Sequence, residues 1–243
     1  MIVLMTDFGE SEYVGMMKGL IHTIAPNTPI TDLTHTISPQ SVREGAWVLM
    51  QSYRFFPSDS IFVCVVDPGV GTDRDAVVID TNNYVFIGPD NGLMYPAALR
   101  DGVREIYSLN IDDDASVTFH GRDVFAKAAA QFAKGEPGTS IGPQKAHLDV
   151  KLEFHLDGRE GEVVRIDRFG NIITNIPPRD TDTLLLRVGS IERRIKHFRT
   201  YSDGPDEELF TVTGSSDTLE ITAKNARASD SLEACVGDRI TLD

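Results

Sequence analysis

Cysteine is close to absent from this chain: of 243 residues only Cys64 and Cys235 carry a thiol. Neither belongs to a CxxC pair or sits beside a histidine-rich stretch, so a zinc site is not expected, and no other cluster of metal-ligand type stands out. Cys64 lies inside the apolar run 61–66, where it reads as a small core residue and not as half of a disulfide. Long apolar runs are missing too. The run at 61–66 is strand-sized, far short of a bilayer span, and no basic region followed by an apolar stretch opens the chain, so a cytoplasmic protein with no membrane partner is expected. Positive charge is scarce: 23 Lys and Arg stand against 37 Asp and Glu, for a formal net charge of −14. Such a surface repels phosphate backbones, so nucleic acid is not an expected partner. It would attract a cationic small molecule, although a well-solvated acidic coat explains the same charge.

What is present is an ordinary globular composition, 41% hydrophobic and 25% charged, long enough for one large domain or two unequal ones. The first half alternates short apolar runs with amphipathic stretches, the pattern of helices packed on a mostly parallel sheet. Strands are expected at 2–5, 30–33, 61–66 and 104–109, with a hairpin formed by 76–80 and 84–87 around Thr81, Asn82 and Asn83. Helices are expected at 13–25, where Val14, Met17, Ile21 and Ile24 share a face, and at 40–55, 91–99 and 121–133. Residues 134–149 contain Gly, Pro and Lys without a clear period and read as a linker. Beyond it the helical signal nearly vanishes. Short β-rich runs at 162–166, 172–175, 184–188, 191–198, 209–212, 218–222 and 239–242 suggest a small barrel or sandwich. The expected architecture is therefore α/β: an N-terminal three-layer α/β domain over 1–149 and a smaller all-β domain over 150–243.

Ligands of open α/β sheets sit beyond the carboxyl ends of strands, so polar residues that follow buried runs are the first candidates for function. Thr6-Asp7-Phe8-Gly9 follows the first strand. The Asp7 carboxylate can clamp a vicinal diol such as a ribose, with Phe8 as an apolar wall, or it can cap the next turn. Asp67-Pro68-Gly69-Val70-Gly71-Thr72-Asp73-Arg74 follows the third strand, and Asp67 and Arg74 are close enough in sequence to fold back on each other. A tight turn with a surface ion pair is the plainer alternative. The segment lacks the lysine of a phosphate loop. His120, in Phe119-His120-Gly121-Arg122-Asp123, can exchange hydrogen bonds with a water held by Asp67, or serve as a helix cap or packing residue. In the β-rich half, Asp167 can hold an ammonium group and the Asn171 amide can match an edge of adenine. Both residues also suit an ordinary β-turn.

Taken in order, Leu4 to Gly9, Tyr13 to Gly19, Val66 to Thr72, Gly88-Pro89-Asp90-Asn91-Gly92, His120 to Asp123 and Asp167 to Ile176 resemble the S-adenosylmethionine hydroxide adenosyltransferases, hydrolytic relatives of the fluorinase and chlorinase. The resemblance implies an N-terminal α/β domain, a C-terminal β-barrel and a homotrimer with active sites between subunits. It implies S-adenosyl-L-methionine as substrate and water as nucleophile, with no cofactor and no metal. It assigns Asp67, Arg74 and His120 to a water-handling triad, Asp7 to the ribose diol, Asp167 to the methionine amino group and Asn171 to adenine. Ser215 and Ser216, in Gly214-Ser215-Ser216-Asp217, loosely match segments that contact the methionine carboxylate. Gln40 stands where the fluorinase has an aromatic wall. The halide-using relatives carry aromatic residues at the triad's aspartate and histidine positions, whereas here both are polar, which favours water because Asp67 would repel an anion. Two other functions remain open: a halide-dependent synthase of 5′-halo-adenosine, and a non-catalytic module that binds an adenosine ligand.

Overall fold

A strand covered on both faces must be apolar at every position, and the continuous runs near the N-terminus meet that condition. In the computed structural model, which describes residues 1–136 and 138–243, β1 (Ile2–Thr6) and β3 (Ile61–Val65) are buried along their whole length. The chain divides into two units, Met1–Leu152 and Glu153–Asp243.

The first unit contains a seven-stranded sheet in the order β2-β1-β3-β5-β4-β6-β7. Here β2 is Ile30–Thr34, β4 Ala76–Thr81, β5 Val85–Pro89, β6 Val103–Leu109 and β7 Ile141–Lys145. The pairings β1–β2, β1–β3 and β3–β5 are parallel, while β5–β4, β4–β6 and β6–β7 are antiparallel. The sheet is thus evenly mixed where a mostly parallel one was expected. One cause is the β4–β5 hairpin. Another is β7, which falls in the stretch expected to be a linker. Its sequence, Ile141-Gly142-Pro143-Gln144-Lys145, has no strand pattern, and an outermost strand can tolerate a proline that a central one cannot. Pro137, in the same expected linker, lies outside the described residues.

Helices α1 (Glu12–Ile24) and α4 (Lys127–Ala133) pack together on one face, where Val14, Met17 and Ile21 join Ile2, Leu4, Val63 and Val65 in one core. Helices α2 (Val42–Ser52) and α3 (Tyr95–Asp101) pack on each other. Alternate strand positions carry Phe62 and Phe86, which stack 5.3 Å apart and take edge contacts from Tyr53, Phe56 and Tyr84. The third helix begins at Tyr95, later than its sequence suggests, with Pro96 in its first turn.

In the second unit β10 (Thr183–Val188), β11 (Ile191–His197), β12 (Leu209–Thr213), β13 (Leu219–Ala223), β9 (Ile172–Thr174), β8 (Glu160–Ile166) and β14 (Arg239–Leu242) close into a barrel in that order. Its interior holds Val163, Leu184, Leu186, Leu219, Ile221 and Leu242. A single-turn helix, α5 (Ala228–Leu232), is too short to leave a period in the sequence.

One close approach in the sheet is sharply testable. A Cβ on Gly88 would stand 2.4 Å from the Cys64 carbonyl oxygen and 3.1 Å from Met94 Sδ. Gly88→Ala should therefore cost about 1–3 kcal/mol by overpacking, read as a lower urea midpoint at unchanged slope.

Candidate active site

Parallel pairing sets Thr6 opposite Val65, so Asp7 and Asp67 emerge at the same end of adjacent strands. The loop after β3 then folds back on itself. Thr72 donates to the Gly69 carbonyl through Oγ1 at 2.7 Å and through its N–H at 3.1 Å. Gly71 takes φ +77°, and a Cβ there would meet the Val117 carbonyl oxygen at 2.6 Å. The fold-back delivers Arg74 to Asp67: Nε donates to Oδ1 at 3.0 Å and to Oδ2 at 3.1 Å, and Nη2 also donates to Oδ2. The side chains of Arg74 and Asp67 are only 10% and 6% exposed. This is a buried charge pair and not the surface pair of an ordinary turn.

The same Nη2 reaches His120 Nδ1 at 2.9 Å. Guanidinium nitrogens only donate, so Nδ1 accepts, and the neutral ring keeps its proton on Nε2. His120 is 5% exposed and stands at the entrance to a wide π-type turn, Gly121–Ala126, that runs into α4. Such widened turns often displace a side chain toward a functional site. Asp123 fixes the approach by accepting the Ser116 N–H at 2.9 Å and Arg122 Nε at 2.6 Å. Burial, and then the charge of Arg74, hold the His120 pKa below its usual value, against the opposing pull of Asp67 and Asp123.

Asp67 and His120 line a cleft of about 430 Å³ whose walls include Asp7, Phe8, Tyr13 and Phe119. Arg74 is not among its lining residues, so it acts on the cleft through the two groups it holds. Phe8, Tyr13 and Phe119 meet edge to face, with ring centres 5.0–6.0 Å apart. Asp7 caps neither its own turn nor α1: its Oδ2 accepts the backbone N–H of Gln40 at 2.7 Å, where the chain turns through φ 64°. Tyr13 and Phe119 were not singled out from the sequence. Tyr13 offered a signal, since it is an aromatic residue next to, but outside, the apolar stripe Val14, Met17, Ile21 that marks the buried face of α1.

Four of the residues expected to function lie in the second unit. Asp167 Oδ1 accepts the N–H groups of Phe169 (2.8 Å) and Asn171 (2.9 Å), while its Oδ2 accepts Asn171 Nδ2 at 2.9 Å. Thr222 Oγ1 donates to the Asn171 side-chain amide oxygen Oδ1. Asp167 and Asn171 are thus joined to each other, in the turn geometry their sequence also allowed. Ser215 and Ser216 lie in the turn between β12 and β13, Ser215 exposed and Ser216 half-buried.

A cleft beyond parallel strand ends, walled by aromatic rings and reached by a few convergent polar groups, marks an enzyme for a small, partly apolar substrate. More narrowly, the chain belongs to the SAM hydroxide adenosyltransferase family, whose N-terminal domain matches residues 2–142 and whose C-terminal domain matches residues 161–241. It is 35% identical to an (R)-S-adenosyl-L-methionine hydrolase of Salinispora arenicola, over 98% of this chain and 95% of that one. It is 38% identical to a protein of the same name from Methanocaldococcus jannaschii, over 80% of this chain and 77% of that one. A fluorinase of Nocardia brasiliensis is more distant, at 27% identity over 78% of this chain and 75% of its own. Among solved structures, an uncharacterized conserved protein from Thermotoga maritima superposes with a TM-score of 0.90 at 35% identity, covering all of both chains.

The histidine geometry has a pH signature. The Arg74–His120 bond requires an unprotonated Nδ1, so it persists above the ordinary histidine value and is lost as pH falls through the lowered one. The acid limb of kcat/KM should therefore lie below about pH 6.5 and should disappear in His120→Gln. A limb centred at or above that value would contradict the assignment.

Proposed function

We propose that this protein hydrolyses S-adenosyl-L-methionine, preferring the R configuration at sulfur, to adenosine and L-methionine. The observation that carries the reading is the buried convergence of Asp67, Arg74 and His120 at the cleft. The hydrolase names of relatives at 35% and 38% identity support it.

The reaction is an in-line displacement at ribose C5′. A water lone pair forms the C5′–O bond while the C5′–S pair returns to sulfur, releasing a neutral thioether. Such a leaving group needs no acid, and the sulfonium is already activated, so no metal or redox cofactor is required. The site has instead to hold one water opposite sulfur and take up its proton. His120, with its remaining proton on Nε2, donates to that water. Asp67 accepts from it and relays the released proton to solvent, while Arg74 fixes both partners. A carboxylate at this position repels halide ions, which sets the reading against a halide-dependent synthase.

Around that centre, Asp7 receives the ribose hydroxyls and Phe8 covers an apolar face. Asp167 takes the methionine ammonium, Asn171 an adenine edge, and Ser215 and Ser216 the carboxylate. The two groups belong to different units of the chain, and on this reading they meet across subunits of a homotrimer. The free thiols of Cys64 and Cys235 fit a reducing cytoplasm.

Chromatography after incubation with each sulfonium epimer should show adenosine and methionine in a 1:1 ratio, formed faster from the R epimer than from the S epimer. Added chloride or fluoride should yield no halogenated nucleoside. Asp67→Asn should lower kcat by at least about 100-fold with little change in KM. Unchanged turnover would sink the mechanism, and binding without products would make the protein a non-catalytic binder. Co-expression of Asp67→Asn and Asp167→Ala chains addresses the trimer. If each site combines neighbouring subunits, random assortment restores about a quarter of the normal turnover. Sites built within one chain would restore none.

A further inference from the structure

The segment Gly88-Pro89-Asp90-Asn91-Gly92 has no part in the mechanism above, yet it lies where the triad loop must be supported. Strands β3 and β4 are consecutive in the chain but not adjacent in the sheet, because β5 lies between them. The loop 66–75, which carries Asp67 and Arg74, therefore arches across the end of β5 and spans two strand spacings, about 9–10 Å. The residues leaving β5 emerge beneath this arch.

They grip it at both ends. On the β3 side Asn91 Nδ2 donates to the Val66 carbonyl at 2.9 Å, one residue before Asp67. On the β4 side the Asp90 N–H donates to the Asp75 carbonyl at 2.9 Å, one residue after Arg74. Lys145, at the end of β7, fastens the second grip. Its ammonium donates to Asp75, to Asp90 Oδ2 at 3.1 Å and to Asp149 Oδ2 at 2.9 Å. The Asp90 side chain is 1% exposed and also accepts the Asp149 N–H at 2.9 Å. Asp75, Asp90 and Asp149 stand close enough to hold a cation, and the chain places its own ammonium among them. Burial opposes that charge, but hydrogen bonds to Asp75, Asp149 and Asp90 outweigh burial and raise the lysine pKa.

We propose that Asn91 and the Lys145–Asp75–Asp90 knot are positioning residues: they fix both feet of the loop 66–75 and so set the distance of Asp67 from Arg74 and His120. The inference rests on the proposed role of Asp67. Asp67 and Arg74 each stand one residue inside a foot, so a foot that shifts carries its side chain with it, and a shift of about 1 Å at a reacting group costs on the order of 100-fold in rate.

Asn91 permits a clean test, because its two ends do different work. Its Oδ1 accepts the Leu93 N–H at 3.1 Å and shapes the turn, whereas only Nδ2 reaches Val66. Serine can keep the turn through its hydroxyl but falls short of Val66. Aspartate keeps the turn and sets an oxygen against the carbonyl. Asn91→Ser should lower kcat about 10-fold and Asn91→Asp about 100-fold, each with KM within about 2-fold and an unchanged far-UV spectrum. Because Asn91 acts through Asp67, adding Asn91→Ser to Asp67→Asn should lower kcat no further. Lys145→Arg keeps the charge but alters its reach, and should lower kcat several-fold at constant KM. Wild-type kcat in folded Asn91→Ser and Asn91→Asp proteins, or losses that simply multiply with Asp67→Asn, would overturn the inference. If Asp67→Asn itself turns over normally, the fault lies in the underlying mechanism and not in the clamp.

Discussion

The burial of one guanidinium organises the first unit. A cation removed from water needs a compensating charge and hydrogen-bond acceptors, and losing either half of such a pair typically costs about 3–5 kcal/mol. Arg74 finds its acceptors in Asp67 and His120, and the Phe125 ring lies 5.4 Å beneath the guanidinium carbon. That requirement explains why the loop after β3 doubles back and why the imidazole stays neutral. The Asp67–Arg74–His120 contacts are in place before any ligand arrives and need not reorganise during reaction, the condition under which fixed dipoles act most strongly, although Arg74 Nη1 is buried without a partner.

The fold was legible wherever burial is uniform. Ile2 to Met5 and Ile61 to Val66 could only be interior strands, and the Thr81-Asn82-Asn83 turn marked its hairpin. Legibility failed where tertiary support replaces local preference. Residues 141–145 carry a glycine and a proline, and they form a strand because β6 offers an unpaired edge. The helix expected from Gly121 opens instead as a wide turn, a widening that no side-chain period records.

The candidate site shows the same division. Asp67, Arg74 and His120 were readable as polar residues at the ends of apolar runs, and their convergence follows from strand order. Depth was not readable: the Asp67–Arg74 pair had the sequence of a surface turn, yet its side chains are largely buried. The partner of Asp7, the Gln40 amide, is 33 residues away and lies beyond any local rule. Asp167 illustrates the converse, since the turn its sequence suggested is present and its carboxylate is already ordered by the N–H groups of Phe169 and Asn171. A ligand arriving there would meet an oriented acceptor and would not have to arrange one.

The outer strands of the first sheet, β2 and β7, have a bearing on solubility. Each exposes backbone groups that a stray extended segment could extend into a larger sheet. Pro143 removes an N–H from one rim, and Asp32, paired with Lys18 at 2.6 Å, puts a charge on the other. The barrel has no rim at all. Ribbon-like growth between chains is thereby discouraged, which leaves side-chain surfaces as the route by which copies of this protein can join without running on into fibres.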